Sequence, residues 1–261
     1  MNNIQIGTCG YGYYNPGENW KEKYESKLQA FSDEYSVVEI NKTFYKLPMT
    51  RTCEKWRNQV QGEFEFTLKA WQAITHPADS PTYKEKEELS KAQQEQFGYF
   101  NPRDEVFNAW NQTRERAEAL RAEVVVFQTP ASFNCTKDHQ NNIRAFINEI
   151  ESGDLALAWE PRGDWNENPE KVESICNDLN LIHVADVMRE TPLSDHALAY
   201  TRLHGLNENL YDYNYTYSDD EIDTLADKLS DLRADHEKVY CMFNNFGMYD
   251  NVPALKSRLL Q

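Results

Sequence analysis

The sequence predicts one α/β domain folded as a TIM-like (β/α)8 barrel, and three observations carry that expectation. The chain has 261 residues, close to the ~250 typical of such a barrel. Short β-rich runs alternate with amphipathic helical stretches from one end to the other, and that alternation gives right-handed crossovers and a parallel sheet. The β-rich runs number eight, which favours closure. A doubly wound open sheet is the competing architecture, but its nucleotide signatures, G-x-G-x-x-G and the P-loop, do not occur.

Taken in order, the runs are Ile4–Gly7, Val37–Asn41, Phe64–Ala70, Val124–Gln128, Leu155–Glu160, Leu181–Ala185, Ala199–His204 and Val239–Asn244. Several are almost wholly apolar, as strands buried on both faces must be. The helices between them carry their own signals. Ile143, Phe146, Ile147 and Ile150 recur at helical spacing. Asn168-Pro169 reads as an N-cap with proline at the first helical position, ahead of Val172, Ile175, Cys176 and Leu179. Ser218 and Glu221 form a capping-box pattern before Ile222, Leu225, Ala226, Leu229 and Leu232. Residues 1–261 form one domain with one long insertion, 76–104, after the third strand. Its charged, helix-prone segment Lys84–Gln96 would sit on the catalytic face, as a lid or as a surface elaboration.

Composition narrows the function. At 40% hydrophobic and 13% aromatic residues, the chain is far from the composition of disorder. A net charge of −16 repels nucleic acid and anionic membranes, so neither is an expected partner. The same acidity suits a halophile or an ordinary acidic cytoplasmic protein. The five cysteines Cys9, Cys53, Cys135, Cys176 and Cys241 form no C-x-x-C pair, so free thiols in a reducing compartment are expected. No signal peptide opens the sequence, and no run reaches the ~20 apolar residues of a membrane span. A cytoplasmic protein follows as the expectation. Nothing in the sequence specifies its oligomeric state.

Strand parity locates the chemistry. In a barrel alternate residues point inward, and active groups stand at the C-terminal strand ends. One face of the strands holds Val37, Glu39 and then Asn41; Thr67 and Lys69; Val124, Val126 and Gln128; Ala156, Ala158 and Glu160; Arg202 and His204; Tyr240, Met242 and Asn244. The other holds Val38, Ile40, Leu68, Val125, Phe127, Leu157, Trp159, Leu203, Cys241 and Phe243, which should pack under helices. Burying so many charges costs several kcal/mol unless they are paired or open to a wet pocket. The inner face is therefore either an active site or a closed salt-bridge network plugging the barrel.

Three chemistries fit. In acid–base catalysis Glu39 or Glu160 serves as base, with His204 as acid or electrostatic stabiliser and Asp186 nearby. Lys69, Arg162 and Arg202 would clamp an anionic substrate, while Asn41, Gln128, Asn244 and Asn245 orient hydroxyls. The second chemistry is a divalent metal on Glu39, Glu160, Asp186 and His204. The basic side chains in the same mouth oppose it, and no cofactor is expected. The third is a Schiff base on Lys69, against which stands pairing of that lysine with Glu39 or Glu160. Aromatics rim the same face: Tyr11, Tyr13, Tyr14, Trp20, Tyr45, Trp71, Tyr211, Tyr213, Tyr215 and Tyr217. Tyr13, Tyr45 and Trp71 are the expected stacking surfaces for a sugar or base. His76 should fix the insertion, His183 should be a satisfied core residue, and His139, His196 and His236 should lie on the surface.

Several strand-end strings together resemble the YecE-like family, the domain of unknown function numbered seventy-two. They are Ile6-Gly7-Thr8-Cys9-Gly10-Tyr11, Val38-Glu39-Ile40-Asn41-Lys42-Thr43-Phe44-Tyr45, Phe66-Thr67-Leu68-Lys69-Ala70, Ile74-Thr75-His76, Phe127-Gln128-Thr129-Pro130-Ala131-Ser132-Phe133, Trp159-Glu160-Pro161-Arg162 with Trp165, Arg202-Leu203-His204-Gly205 and Phe243-Asn244-Asn245. The chain departs from the pattern at Cys9, where serine is frequent, near Gly12-Tyr13, where a tryptophan is frequent, and at Pro161, where an aromatic is frequent. The resemblance implies a TIM-like barrel and supplies no reaction. The leading expectation is thus an enzyme of hydrolase or isomerase type acting on a small anionic molecule, such as a phosphorylated sugar or nucleotide fragment. A metal-dependent hydrolase and a non-catalytic ligand-binding or nucleic-acid-associated protein are the alternatives.

Overall fold

The eight apolar runs form strands because each is buried on both faces, against the barrel interior on one side and helices on the other. A computed structural model describes residues 3–83, 97–209 and 212–260. The strands are β1 (Ile4–Thr8), β2 (Val37–Ile40), β3 (Glu65–Lys69), β4 (Ala122–Gln128), β5 (Ala156–Glu160), β6 (Ile182–Ala185), β7 (Leu198–Leu203) and β8 (Lys238–Phe243). All neighbours pair in parallel, and β8 returns to β1 to close the barrel in chain order. Every expected strand is present, with ends moved by no more than two residues. Between β1 and β2 the backbones pack without room for a side chain: a Cβ on Gly7 would lie 2.1 Å from the Val37 carbonyl oxygen.

Parity sorts the apolar residues as the sequence implies. Val37, Val124, Val126, Ala158, Ile182, Val184, Tyr200, Tyr240 and Met242 fill the interior with Cys9. Val38, Ile40, Leu68, Val125, Phe127, Leu157, Trp159, Leu203, Cys241 and Phe243 pack outward in the larger cluster under the helices. Hydroxyls stitch the interior: Thr67 and Tyr200 lie 2.8 Å apart, oxygen to oxygen. At the N-terminal end the Glu65 carboxylate accepts from Lys238 at 2.8 Å and Tyr240 at 2.7 Å.

The helix signals are mostly realised. The helix Asp219–Asp235 starts with a complete capping box between Ser218 and Glu221. Pro169 opens the helix Pro169–Asp178, but Asn168 does not cap it; its side-chain amide donates to the Asp164 carbonyl at 2.8 Å instead. That short-range bond belongs to the preceding 3₁₀ turn Gly163–Glu167 and outcompetes the cap.

Within the insertion, the segment Lys84–Gln96 that prompted the lid expectation lies outside the described residues, as does Tyr211. Where the chain re-enters, Gly98 and Phe100 donate to the carbonyls of Ala73 and Ile74, each at 2.9 Å, and the Phe100 ring is fully buried. His76 anchors this junction. Its Nδ1 lies 2.8 Å from the Thr75 hydroxyl, and Phe44 packs edge-on against its ring. His183 is buried, with Nδ1 accepting from the Leu193 amide. His139 is not a plain surface residue, since its ring stacks on Phe133 with centroids 4.5 Å apart. All five cysteines are free. Among the described residues no helix is long and apolar enough to cross a membrane.

Candidate active site

The inward charges do meet, and they meet in two tiers. The lower tier is closed. Arg202, only 1% exposed, donates to Glu39 at 2.9 Å and to Glu160 through its other terminal nitrogen. Glu39 is fully buried, and its second oxygen accepts from the Tyr200 hydroxyl at 2.8 Å. A fork of this kind satisfies both carboxylates with one planar cation. It is the salt-bridge plug foreseen as the alternative to a site. Glu39 therefore lies beneath Arg202 with no exposed surface.

The upper tier is open. A cavity of about 390 Å³ is lined by Glu160, Arg162, Asp186, Arg189, Glu190, Arg202 and His204, among others. It lies at the C-terminal ends of β5, β6 and β7, the catalytic end of such barrels. Glu160 bridges the tiers. Its Oε1 accepts from Gln128 at 2.7 Å and from Arg162 at 3.1 Å. Burial alone would raise its carboxyl, but Arg202, Arg162, His204 and the Gln128 hydrogen bond outweigh that and hold it well below the usual carboxylate range. Glu160 is thus an anion in the folded protein and a weak proton acceptor.

His204 stands between two carboxylates. Its Nε2 is 3.6 Å from Glu160 Oε1 and its Nδ1 is 3.9 Å from Asp186 Oδ2. Both separations exceed a hydrogen bond, and Nε2 is a buried atom without a hydrogen-bond partner. Tyr213 lies against the ring with centroids 5.5 Å apart, and its hydroxyl accepts from Arg162 at 3.4 Å. Asp186 accepts the backbone amides of Met188 and His204, each at 3.1 Å. It thereby fixes the loop after β6 to the end of β7.

That loop supplies two residues that strand parity did not reveal, because they lie beyond a strand end. Arg189 reaches across to the carbonyls of Gly205 and Asn207. Glu190 is open to the cavity by surface area although protein crowds it on the wall side. That crowding, with Asp186 and Glu160 nearby and only a backbone bond opposing, pushes its carboxyl up to about 7. The nearest signal in the sequence is Asp186-Val187-Met188-Arg189-Glu190 directly after a strand.

The remaining candidates divide. Lys69 is 8% exposed and donates to the Gln128 side-chain oxygen; it does not pair with Glu39 or Glu160, whose oxygens are held by arginines. Asn41 donates to the Cys9 carbonyl at 3.2 Å, leaving its own oxygen unsatisfied. Tyr45 is 53% exposed at the rim, and Trp71 is half-buried against Phe97. Tyr13 is 92% exposed. Asn244 is half-buried at the end of β8, and its backbone amide is bonded to Leu203. The Asn245 amide nitrogen is spent on Tyr215 and Asn251, tying the loop after β7 to the last helix. Of the first-loop aromatics, Tyr14 is core, packed edge-on against Phe31 and Tyr35.

The four residues considered for a metal do not gather into one. Among the described residues no group of three or more His, Cys, Asp or Glu side chains is placed to hold an ion. Glu39 and Glu160 are already bound to guanidinium groups. A second, larger hollow of about 800 Å³ lies at the opposite end, among Gln5, Arg57, Glu65, Arg121 and Lys238. It is wider than the upper cavity, but in barrels this end serves stability rather than chemistry.

Known proteins agree with the architecture. The UPF0759 protein YunF of Bacillus subtilis (strain 168) is 25% identical over 270 residues, covering 93% of this chain and 88% of its own. The crystal structure of a DUF72 family protein from Enterococcus faecalis V583 superposes with a TM-score of 0.74 at 18% identity, covering 100% of this chain and 99% of that one. A DUF72 family protein from Thermotoga maritima MSB8 gives a TM-score of 0.69 at 22% identity, with 99% of each chain covered. Residues 5–260, nearly the whole barrel with both tiers of its site, match the family described as "Protein of unknown function DUF72", and the chain belongs to that family.

Proposed function

We propose that the protein is an enzyme that moves protons on a small polar anion at the C-terminal mouth of the barrel. One observation carries this reading: His204 stands between Glu160 and Asp186 in a cavity of about 390 Å³ that also presents Arg162, Arg189 and Arg202. That volume suits a small molecule. Guanidinium groups lining a cavity can recognise phosphate or carboxylate. A phosphorylated sugar or nucleotide fragment meets both conditions, and the Tyr213 ring beside His204 offers a face for stacking.

The geometry divides the roles. Glu160, held ionised by two arginines, balances charge and orients its neighbours. His204 is the group placed to take or give a proton, because its Nε2 has no hydrogen-bond partner and both neighbouring carboxylates stand beyond hydrogen-bond range. Its long separations from both carboxylates leave the ring room to settle when a ligand arrives. Hydrolysis and isomerisation both need that proton transfer.

The test is thermal unfolding against a panel of phosphorylated metabolites. A ligand specific to the folded state stabilises it by ~2.7 kcal/mol at a hundredfold excess over its Kd. For the compound that does so, His204→Ala should lower turnover by about 10²–10⁴-fold. Retention of full turnover by His204→Ala would sink the assignment.

A further inference from the structure

Lys69 has no carboxylate partner among the described residues. Its strand end points it inward, it is 8% exposed, and its hydrogen bond goes to the neutral side-chain oxygen of Gln128. The ring of Phe44 covers it, with Nζ 3.6 Å from the centroid. An ammonium has three donors to satisfy. The carboxylates that could neutralise it are occupied, Glu39 by Arg202 and Tyr200, Glu160 by Arg202, Arg162 and Gln128.

A buried charge without a counterion sheds its proton. Every element packed around Lys69 bears on that balance. Burial, then Arg202 and Arg162, disfavour the ammonium, Glu160 and Glu39 favour it, and together they lower the amine to about 7. His76 adds no charge near neutrality, since burial beside Lys69 and Arg162 lowers it to about 3. The Phe44 face favours the cation, but it replaces only a fraction of the hydration lost.

We propose that Lys69 is a nucleophilic amine that forms an imine with the carbonyl group of an anionic aldehyde or ketone bound in the mouth. This rests on the anion-site reading above and narrows its substrate to compounds with a free carbonyl, such as an open-chain sugar phosphate. The neutral nitrogen adds to the carbonyl carbon, forming the C–N bond. The carbonyl electron pair moves to oxygen, which takes up a proton. Loss of water then gives the imine, so that amine and carbonyl yield imine and water with no oxidant or reductant. The protonated imine restores a cation near Glu160, joined to Lys69 through Gln128. That cation draws electrons from the adjacent C–H bond, the step for which a proton acceptor such as His204 is needed.

The experiment uses glyoxylate, a small anionic aldehyde, with cyanoborohydride to trap the imine on the full-length protein at pH 7. Peptide mass spectrometry then locates the adduct. A solvated lysine holds roughly a thousandfold less free amine at that pH than one titrating near 7. Lys69 should therefore carry at least about tenfold more label than any other lysine, with labelling half-maximal near pH 7. Lys69→Arg should lose that adduct alone. Label confined to other lysines, with Lys69 unmodified, would overturn the proposal, and this readout needs only the wild-type protein. Inorganic phosphate in a parallel unfolding experiment separates the two ideas. Stabilisation by phosphate without Lys69 labelling leaves an anion site with no amine chemistry. Labelling without stabilisation leaves the amine and removes the anion site on which a sugar phosphate substrate depends.

Discussion

A single arginine decides whether the barrel interior is stable. Arg202 lies between Glu39 and Glu160, and among the described residues it is the cation that bridges the fully buried Glu39. Arg202→Ala leaves two buried anions facing a void, and breaking one partner out of such a network costs about 3–5 kcal/mol. Urea denaturation should show a loss in that range. A loss under ~1 kcal/mol would mean that water already solvates the fork. Buried histidines set the acid limit. Burial lowers His76 to about 3 and His183 to about 4, whereas unfolded histidine titrates near ~6.5. The unfolded chain therefore binds protons first. The stability from neutral His76 and His183 is complete above pH ~6.5 and falls between there and the folded values, by at most ~1.4 kcal/mol per group per pH unit. Glu160 acts lower, its contribution being present above the ordinary carboxylate value of ~4.3 and lost as pH falls through its depressed folded value. His183→Asn should flatten the upper part of this decline in urea midpoints measured from pH 7 to 5. An unchanged slope would show that His183 does not contribute.

At the scale of elements, two junctions hold the helices to the barrel. Ser218→Ala removes one half of the capping box and should cost about 1 kcal/mol of stability by urea denaturation. Gly98→Ala should cost more. Gly98 has φ +86°, and a Cβ there would lie 2.4 Å from the His76 carbonyl carbon, so backbone must move where the insertion returns to Ala73 and Ile74. The sequence revealed the strands and their inward faces because period-2 alternation depends only on local order. It revealed Glu160, Arg202 and His204 for the same reason. It did not reveal which charge meets which. Partner choice across a barrel depends on strand stagger and side-chain reach, and Arg202 outreaches Lys69 to both glutamates. Glu190 and Arg189 escaped because loop residues follow no period. Asn168 looked like a cap because proline follows it, yet a carbonyl four residues back was the nearer partner.

At the scale of the molecule, charge is arranged in two regimes that respond differently to salt. The surface carries most of 43 acidic against 27 basic residues, for a net charge of −16. The Arg202–Glu39 pair in the interior is buried. Salt shortens the Debye length from ~10 Å at 0.1 M to ~3 Å at 1 M. Repulsion among exposed carboxylates should fade over that range, while the Arg202 fork keeps its strength. We therefore expect the melting temperature to rise by several degrees between about 0.1 and 1 M KCl. The deficit of Arg202→Ala relative to wild type should stay constant across the same range. A flat wild-type response would mean that surface carboxylates are locally neutralised by neighbours such as Arg258, which bridges Asp219 and Asp223. A deficit that shrinks with salt would place the fork in contact with solvent ions, making the lower tier part of the open site.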